Sequence, residues 1–152
     1  KVGEEERKLM DDMLQTMYEA NGIGLAAIQV GIPKRIIVID LSKKDEKKNP
    51  LYFVNPIIKN KKKELSTYEE GCLSVPNQFA EIDRPRECEV EYLDYNGKKN
   101  ILRVSGLLAT CIQHEMDHLE GILFIDYLSK LKKTMIIKKL SKQKGKVDRI
   151  VV

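Results

Sequence analysis

Apolar residues recur every third or fourth position between Glu4 and Ala20, where Leu9, Met10, Met13, Leu14, Met17 and Tyr18 form one stripe. That period predicts an amphipathic helix, and the acidic residues at its start suit the positive end of the helix dipole. Asn21-Gly22 is the expected stop. The following stretch, GIGLAAIQVG from Gly22 to Gly31, is too rich in glycine and small side chains for an ordinary helix or strand. Some backbone must therefore come close to something there.

The period then changes. Arg35 to Asp40 (RIIVID) is a short β-branched run and reads as a buried strand; Leu51 to Asn55, ahead of Pro56, is a second. Between them Lys43 to Asn49 is a polar loop. Cys88 to Tyr95 and Lys99 to Val104 flank Asn96-Gly97, a strong local signal for an antiparallel hairpin. Gly106 to Glu120 returns to helical spacing, with Leu107, Leu108, Cys111, Ile112 and Leu119 on one side and Gly121 as its stop. Lys130 to Lys144 predicts another amphipathic helix, basic this time, with Leu131, Met135, Ile136 and Leu140 as its stripe. Val147 to Val152 is strand-like. No internal repeat is evident.

These elements define an α+β fold: short, mostly antiparallel strands around a helix at Gly106–Glu120, with an N-terminal and a basic C-terminal helix. The 152 residues suit one domain, 1–152. Hydrophobic residues at 42% and charged residues at 33% exclude a wholly disordered chain. The apolar runs fall far short of the ~20 residues of a bilayer-crossing helix, so no membrane partner is expected. Net charge is only +4 but unevenly placed: Lys130 to Val152 carries +8 and the remainder −4. Contact with a polyanion would use that basic end, unless it is simply a solvated helix face. Three widely spaced cysteines, Cys72, Cys88 and Cys111, argue against a disulfide framework and for a reducing compartment.

Residues 114–118 read HEMDH and contain both histidines of the chain. In a helix His114 and His118, four apart, project from one face and can share a cation. Glu115 beside them could reach a water at that cation without ligating it, as a general base requires. Two imidazoles do not complete a tetrahedral site with one open position, so a third ligand must come from elsewhere. Cys72 lies in Glu70-Gly71-Cys72-Leu73-Ser74, where Gly71 would let the backbone turn. Cys88 falls in the hairpin, and Cys111 on the histidine helix is placed better for packing than for ligation. By residue type the site fits a hydrolase, an H-E-x-x-H endopeptidase, or a ribosome- or RNA-binding module with a structural metal.

Three segments together, Gly22-Ile23-Gly24-Leu25-Ala26-Ala27-Ile28-Gln29, Glu70-Gly71-Cys72-Leu73-Ser74 and Gln113-His114-Glu115-Met116-Asp117-His118-Leu119-x-Gly121, resemble the three signature motifs of the peptide deformylases. The likeness runs from Glu4 to Leu140. It implies a hydrolase that removes the formyl group from the N-terminal formyl-methionine of newly made proteins and releases formate. It further implies Cys72, His114 and His118 as ligands of one divalent metal, natively Fe(II) and replaceable by Zn(II), Ni(II) or Co(II). Glu115 would be the base, with the Gln29 amide and the Leu73 backbone N–H as oxyanion donors. Gly22, Ile23, Gly24, Gly71, Leu107 and Cys111 would meet the nascent peptide, Ile23, Leu107 and Cys111 around the methionine side chain. Glu70 would pair with Arg84. The resemblance also implies a monomer in a bacterial cytoplasm or bacterium-derived organelle, with a ribosome contact through Lys130–Lys144. Family members carry about one further strand and turn before the first helix. The strand-like Val147–Val152 is expected at the sheet edge this segment would cover.

Overall fold

The structure, a computed structural model, describes residues 1–72 and 74–143. Helix α1 (Glu4–Glu19) begins where the Gly3 N–H donates to the Glu6 carboxylate at 2.9 Å, and three glutamates occupy its first turn. It ends at Asn21, which takes the left-handed conformation at φ 57°, while the Gly22 N–H bonds the Met17 carbonyl. Asparagine thus supplies the turn expected of the Asn-Gly pair.

Strands β1 (Gly24–Ala26), β2 (Ile36–Ile39), β3 (Leu51–Lys59), β6 (Glu87–Leu93) and β7 (Lys99–Ser105) form an antiparallel sheet in the order β1-β2-β3-β6-β7. The unbroken IIVI of β2 is explained by burial on both faces. Ile36 and Val38 meet Met10, Met13 and Met17 of α1, whereas Ile37 and Ile39 meet Ala109, Cys111 and Ile112 of helix α2 (Gly106–Leu119). Two helices thus cover opposite faces of one sheet.

Strand β3 runs past the expected stop at Asn55. A bulge between Val54 and Ile57, with Asn55 at φ 51°, lets it pass through Pro56 and resume pairing with β6. The β6–β7 hairpin forms as expected, although its turn is longer than the two residues Asn-Gly can close. Leu93 pairs with Lys99, Gly97 sits at φ 84°, and Asp94 Oδ1 accepts the N–H groups of Asn96 and Lys98.

Strands β4 (Leu65–Cys72) and β5 (Val75–Pro85) form a separate ribbon that the apolar pattern did not announce. Its inner surface and helix α3 (Lys130–Gln143) close a third cluster around Val75, Ile82, Phe124, Ile125 and Ile136. Gly71 is therefore in a strand, not at a turn. A side chain there would collide with the ring of its cross-strand partner Phe79. The strand-like 147–152 segment lies outside the described residues. Among the described residues no helix is long and apolar enough to cross a membrane.

Candidate metal centre

Helix α2 has eight of its fourteen residues buried, His114, Glu115 and His118 among them. Gly121 at φ 76° terminates it, and the Ile122 N–H closes back on the Asp117 carbonyl at 2.8 Å. The last turn of α2, which carries HEMDH, faces the closed end of the β4–β5 ribbon. There Cys72 Sγ lies 3.1 Å from His118 Nε2, which lies 3.2 Å from His114 Nε2.

These three ligand atoms fall within 4.8 Å of one another. Bonds of 2.0–2.3 Å to a tetrahedral ion would separate them by about 3.4 to 3.6 Å, so the spacing is close to that of a shared cation. His114 Nδ1 meets Glu70 Oε1 at 2.9 Å. An ionised carboxylate can only accept, so Nδ1 carries the proton and the Nε2 lone pair is left facing the cluster. Burial opposes a thiolate at Cys72, but the two adjacent imidazoles outweigh it and bring the thiol down to about 5. One soft and two borderline donors fit a first-row divalent ion with a coordination position to spare.

Glu115 sits beside this cluster and is 5% exposed. Its Oε1 has no hydrogen-bond partner among the described residues. Burial pushes its carboxyl up to about 7 against the pull of the two histidines. Its other oxygen would lie 2.7 Å from a Cβ built on Gly24, which explains the glycine in β1. The same segment brings in Gln29, on the short 3₁₀ turn Ala27–Val30. Gln29 is held at both ends: Oε1 accepts the Ala26 N–H at 2.9 Å, while Nε2 donates to Ser74 Oγ at 2.9 Å and approaches Cys72 Sγ at 3.5 Å.

Glu70 does pair with Arg84, through two bonds of 2.7 and 2.9 Å, and both side chains are buried. Arg84 also donates to Asp117 at 2.8 Å, and Asp117 accepts the Tyr127 hydroxyl at 2.6 Å. Phe124 stacks on His114 with ring centres 6.2 Å apart. Sequence reasoning did not single out Asp117, Tyr127 or Phe124. The only available signal was Asp117 three positions after His114, on the same side of the helix.

Gly24, Gln29, Cys72, His114, Glu115 and His118 thus converge. Ile23 and Leu107 are exposed, at 45% and 42%, and Gly22 belongs to the turn after α1. Cys111 is buried, with its thiol pushed up to about 12 by that burial, and is no member of the ligand cluster. Cys88 is buried in the sheet core. Leu73 lies outside the described residues.

The family described as polypeptide deformylase matches residues 1–134 of this chain. The peptide deformylase of Pelagibacter ubique (strain HTCC1062) is 76% identical over 151 residues, spanning 99% of this chain and 87% of that protein. The peptide deformylase of Rhizobium meliloti (strain 1021) is 57% identical over 136 residues, 90% of this chain and 78% of its own. Among solved structures, peptide deformylase from Ehrlichia chaffeensis superposes with a TM-score of 0.90 at 44% identity, covering 96% of this chain and 87% of that one. The Ehrlichia enzyme in complex with actinonin gives 0.88 at 46% identity, covering 94% and 86%. Identity this high over nearly the whole length, together with the same backbone, makes this chain a member of the polypeptide deformylase family.

Proposed function

We propose that this deformylase holds one divalent cation on Cys72, His114 and His118 and uses Glu115 as the base that frees formate from formyl-methionyl peptides. The supporting observation is the buried Glu115 Oε1, which has no hydrogen-bond partner among the described residues and lies 4.0 Å from His118 Nε2 in the ligand cluster. When bound, the cation supplies Lewis acidity toward a water molecule and toward the formyl oxygen. Glu115 takes the proton as that water attacks the formyl carbon, then returns it to the nitrogen as the carbon–nitrogen bond breaks. A carboxyl raised toward neutrality by burial suits both transfers.

Gln29 Nε2 faces Cys72 and can turn from Ser74 to the oxygen on which charge develops. The Leu73 N–H is the second donor on this reading. The outer edge of β1, which pairs with no strand among the described residues, accepts the peptide as an added strand at Gly24, beside Glu115, and Gly22 and Gly71 meet the same peptide on this reading. Ile23, Leu107 and Cys111 line the apolar space for the methionine side chain. Iron(II) is the proposed native ion, exchangeable for Zn(II), Ni(II) or Co(II) because thiolate and imidazole accept all four. The protein acts as a monomer in a bacterial cytoplasm or bacterium-derived organelle, with the lysines of α3 facing ribosomal phosphates.

The deciding experiment is formate release from a formyl-methionyl peptide by protein loaded anaerobically with Fe(II) or aerobically with Ni(II). Glu115→Ala is expected to lower turnover about 100- to 10,000-fold while retaining metal. Fully loaded protein that releases no formate would refute the assignment.

A further inference from the structure

We infer that Tyr127 is a positioning residue for His114, acting through a chain of hydrogen bonds that runs from the stretch preceding α3 to the proposed metal centre. The inference rests on the ligand assignment above. The chain is continuous: His114 Nδ1 to Glu70 at 2.9 Å, Glu70 to Arg84 at 2.7 and 2.9 Å, Arg84 to Asp117 at 2.8 Å, and Asp117 to the Tyr127 hydroxyl at 2.6 Å. A ligating histidine is aimed by whatever its second nitrogen bonds, and that partner is aimed in turn by its own bonds.

Tyr127 is half exposed, yet its hydroxyl lies on a carboxylate and its ring lies 4.8 Å beneath the Arg84 guanidinium. The ring thus covers an arginine whose side chain is only 4% exposed and whose donors hold both Glu70 and Asp117. The same 3₁₀ stretch, Phe124–Tyr127, touches the ligand a second time, since Phe124 stacks on the His114 ring at an interplanar angle of 24°. After two intervening residues, Leu128 and Ser129, α3 begins. The position of the basic helix is therefore tied to the orientation of a ligand through two independent contacts.

Tyr127→Phe keeps the ring over Arg84 and removes only the bond to Asp117. The test loads the unaltered protein and this variant with Co(II), then follows loss of the cobalt–thiolate absorption in excess EDTA. Kinetics on a formyl-methionyl peptide and urea unfolding are measured alongside. Direct partners of a ligand are worth about 10- to 100-fold in metal affinity. Several bonds further out, Tyr127→Phe is expected to speed cobalt loss about threefold to tenfold, lowering kcat with KM unchanged and the urea midpoint intact.

Combined with Glu70→Gln, it should add nothing further, because both changes cut one chain. Asp117→Asn serves as the partner if Glu70→Gln does not fold. Unchanged cobalt loss, a multiplicative effect in the double variant, or loss that follows a lowered urea midpoint would each overturn the role. Unaltered protein that takes up no cobalt would overturn the ligand assignment with it, whereas uptake with no effect of Tyr127→Phe overturns Tyr127 alone.

Discussion

At the scale of single residues, the site depends on what is missing as much as on what is present. Gly24 has no side chain because Glu115 occupies that space, and Gly71 has none because Phe79 does. Gly24→Ala is therefore expected to displace the Glu115 carboxylate from its position beside the ligands. A misplacement of about 1 Å costs about 100-fold in rate. Steady-state formate release should show that loss while metal content stays at that of the unaltered protein. A variant with full activity would mean that Glu115 is not held by this contact. His114, His118 and Glu115 were legible in the sequence because helical spacing places residues four apart on one face. The link from Arg84 to Asp117 and Tyr127 was not, because nothing along the chain shows that β5 folds against the last turn of α2.

At the scale of elements, legibility followed the completeness of the apolar pattern. Helix α1, strand β2 and the β6–β7 hairpin announce themselves: α1 by a periodic apolar stripe, β2 by an unbroken β-branched run, and the hairpin by Asn96-Gly97 between two strand-like segments. The β4–β5 ribbon does not. Its inward positions include Glu70 and Arg84, buried because they pair with each other, so the alternation that marks a half-buried strand is interrupted where the element matters most. The Asn-Gly pair located the hairpin but not its turn, which Asp94 lengthens by accepting two backbone N–H groups. Gly97 at φ 84° is the position in that turn where a side chain is strained. Gly97→Ala is expected to cost about 1–2 kcal/mol in urea unfolding and to leave formate release unchanged, since the hairpin lies apart from the ligands. An unaltered urea midpoint would contradict the strain argument.

At the scale of the whole molecule, stability depends on carboxylates that must stay charged. Burial opposes charge on Asp40, but bonds from Ser42, Tyr18 and Asn49 outweigh it and hold the carboxyl below its ordinary value. Asp94 is lowered too, chiefly by the Lys98 N–H. The unfolded chain therefore binds protons first, near pH 4. Stability from these groups is fully present above that value and is lost as pH falls through the lower folded values. Urea midpoints measured from pH 7 to pH 2 should stay level as far as these groups are concerned until about pH 4, then fall. Asp40→Asn should lower the plateau and soften the fall; a variant with the unaltered profile would exclude Asp40 as a contributor.

The sheet itself sets one further limit. Its strand on the catalytic side, β1, is three residues long before the chain turns away at Ala27. A guest chain laid along it can form only a few main-chain bonds, so on the proposed reading the enzyme inspects the first few residues of its client and no more. Recognition this brief is indifferent to whatever sequence follows, and a single catalyst can serve products that share nothing except how they begin.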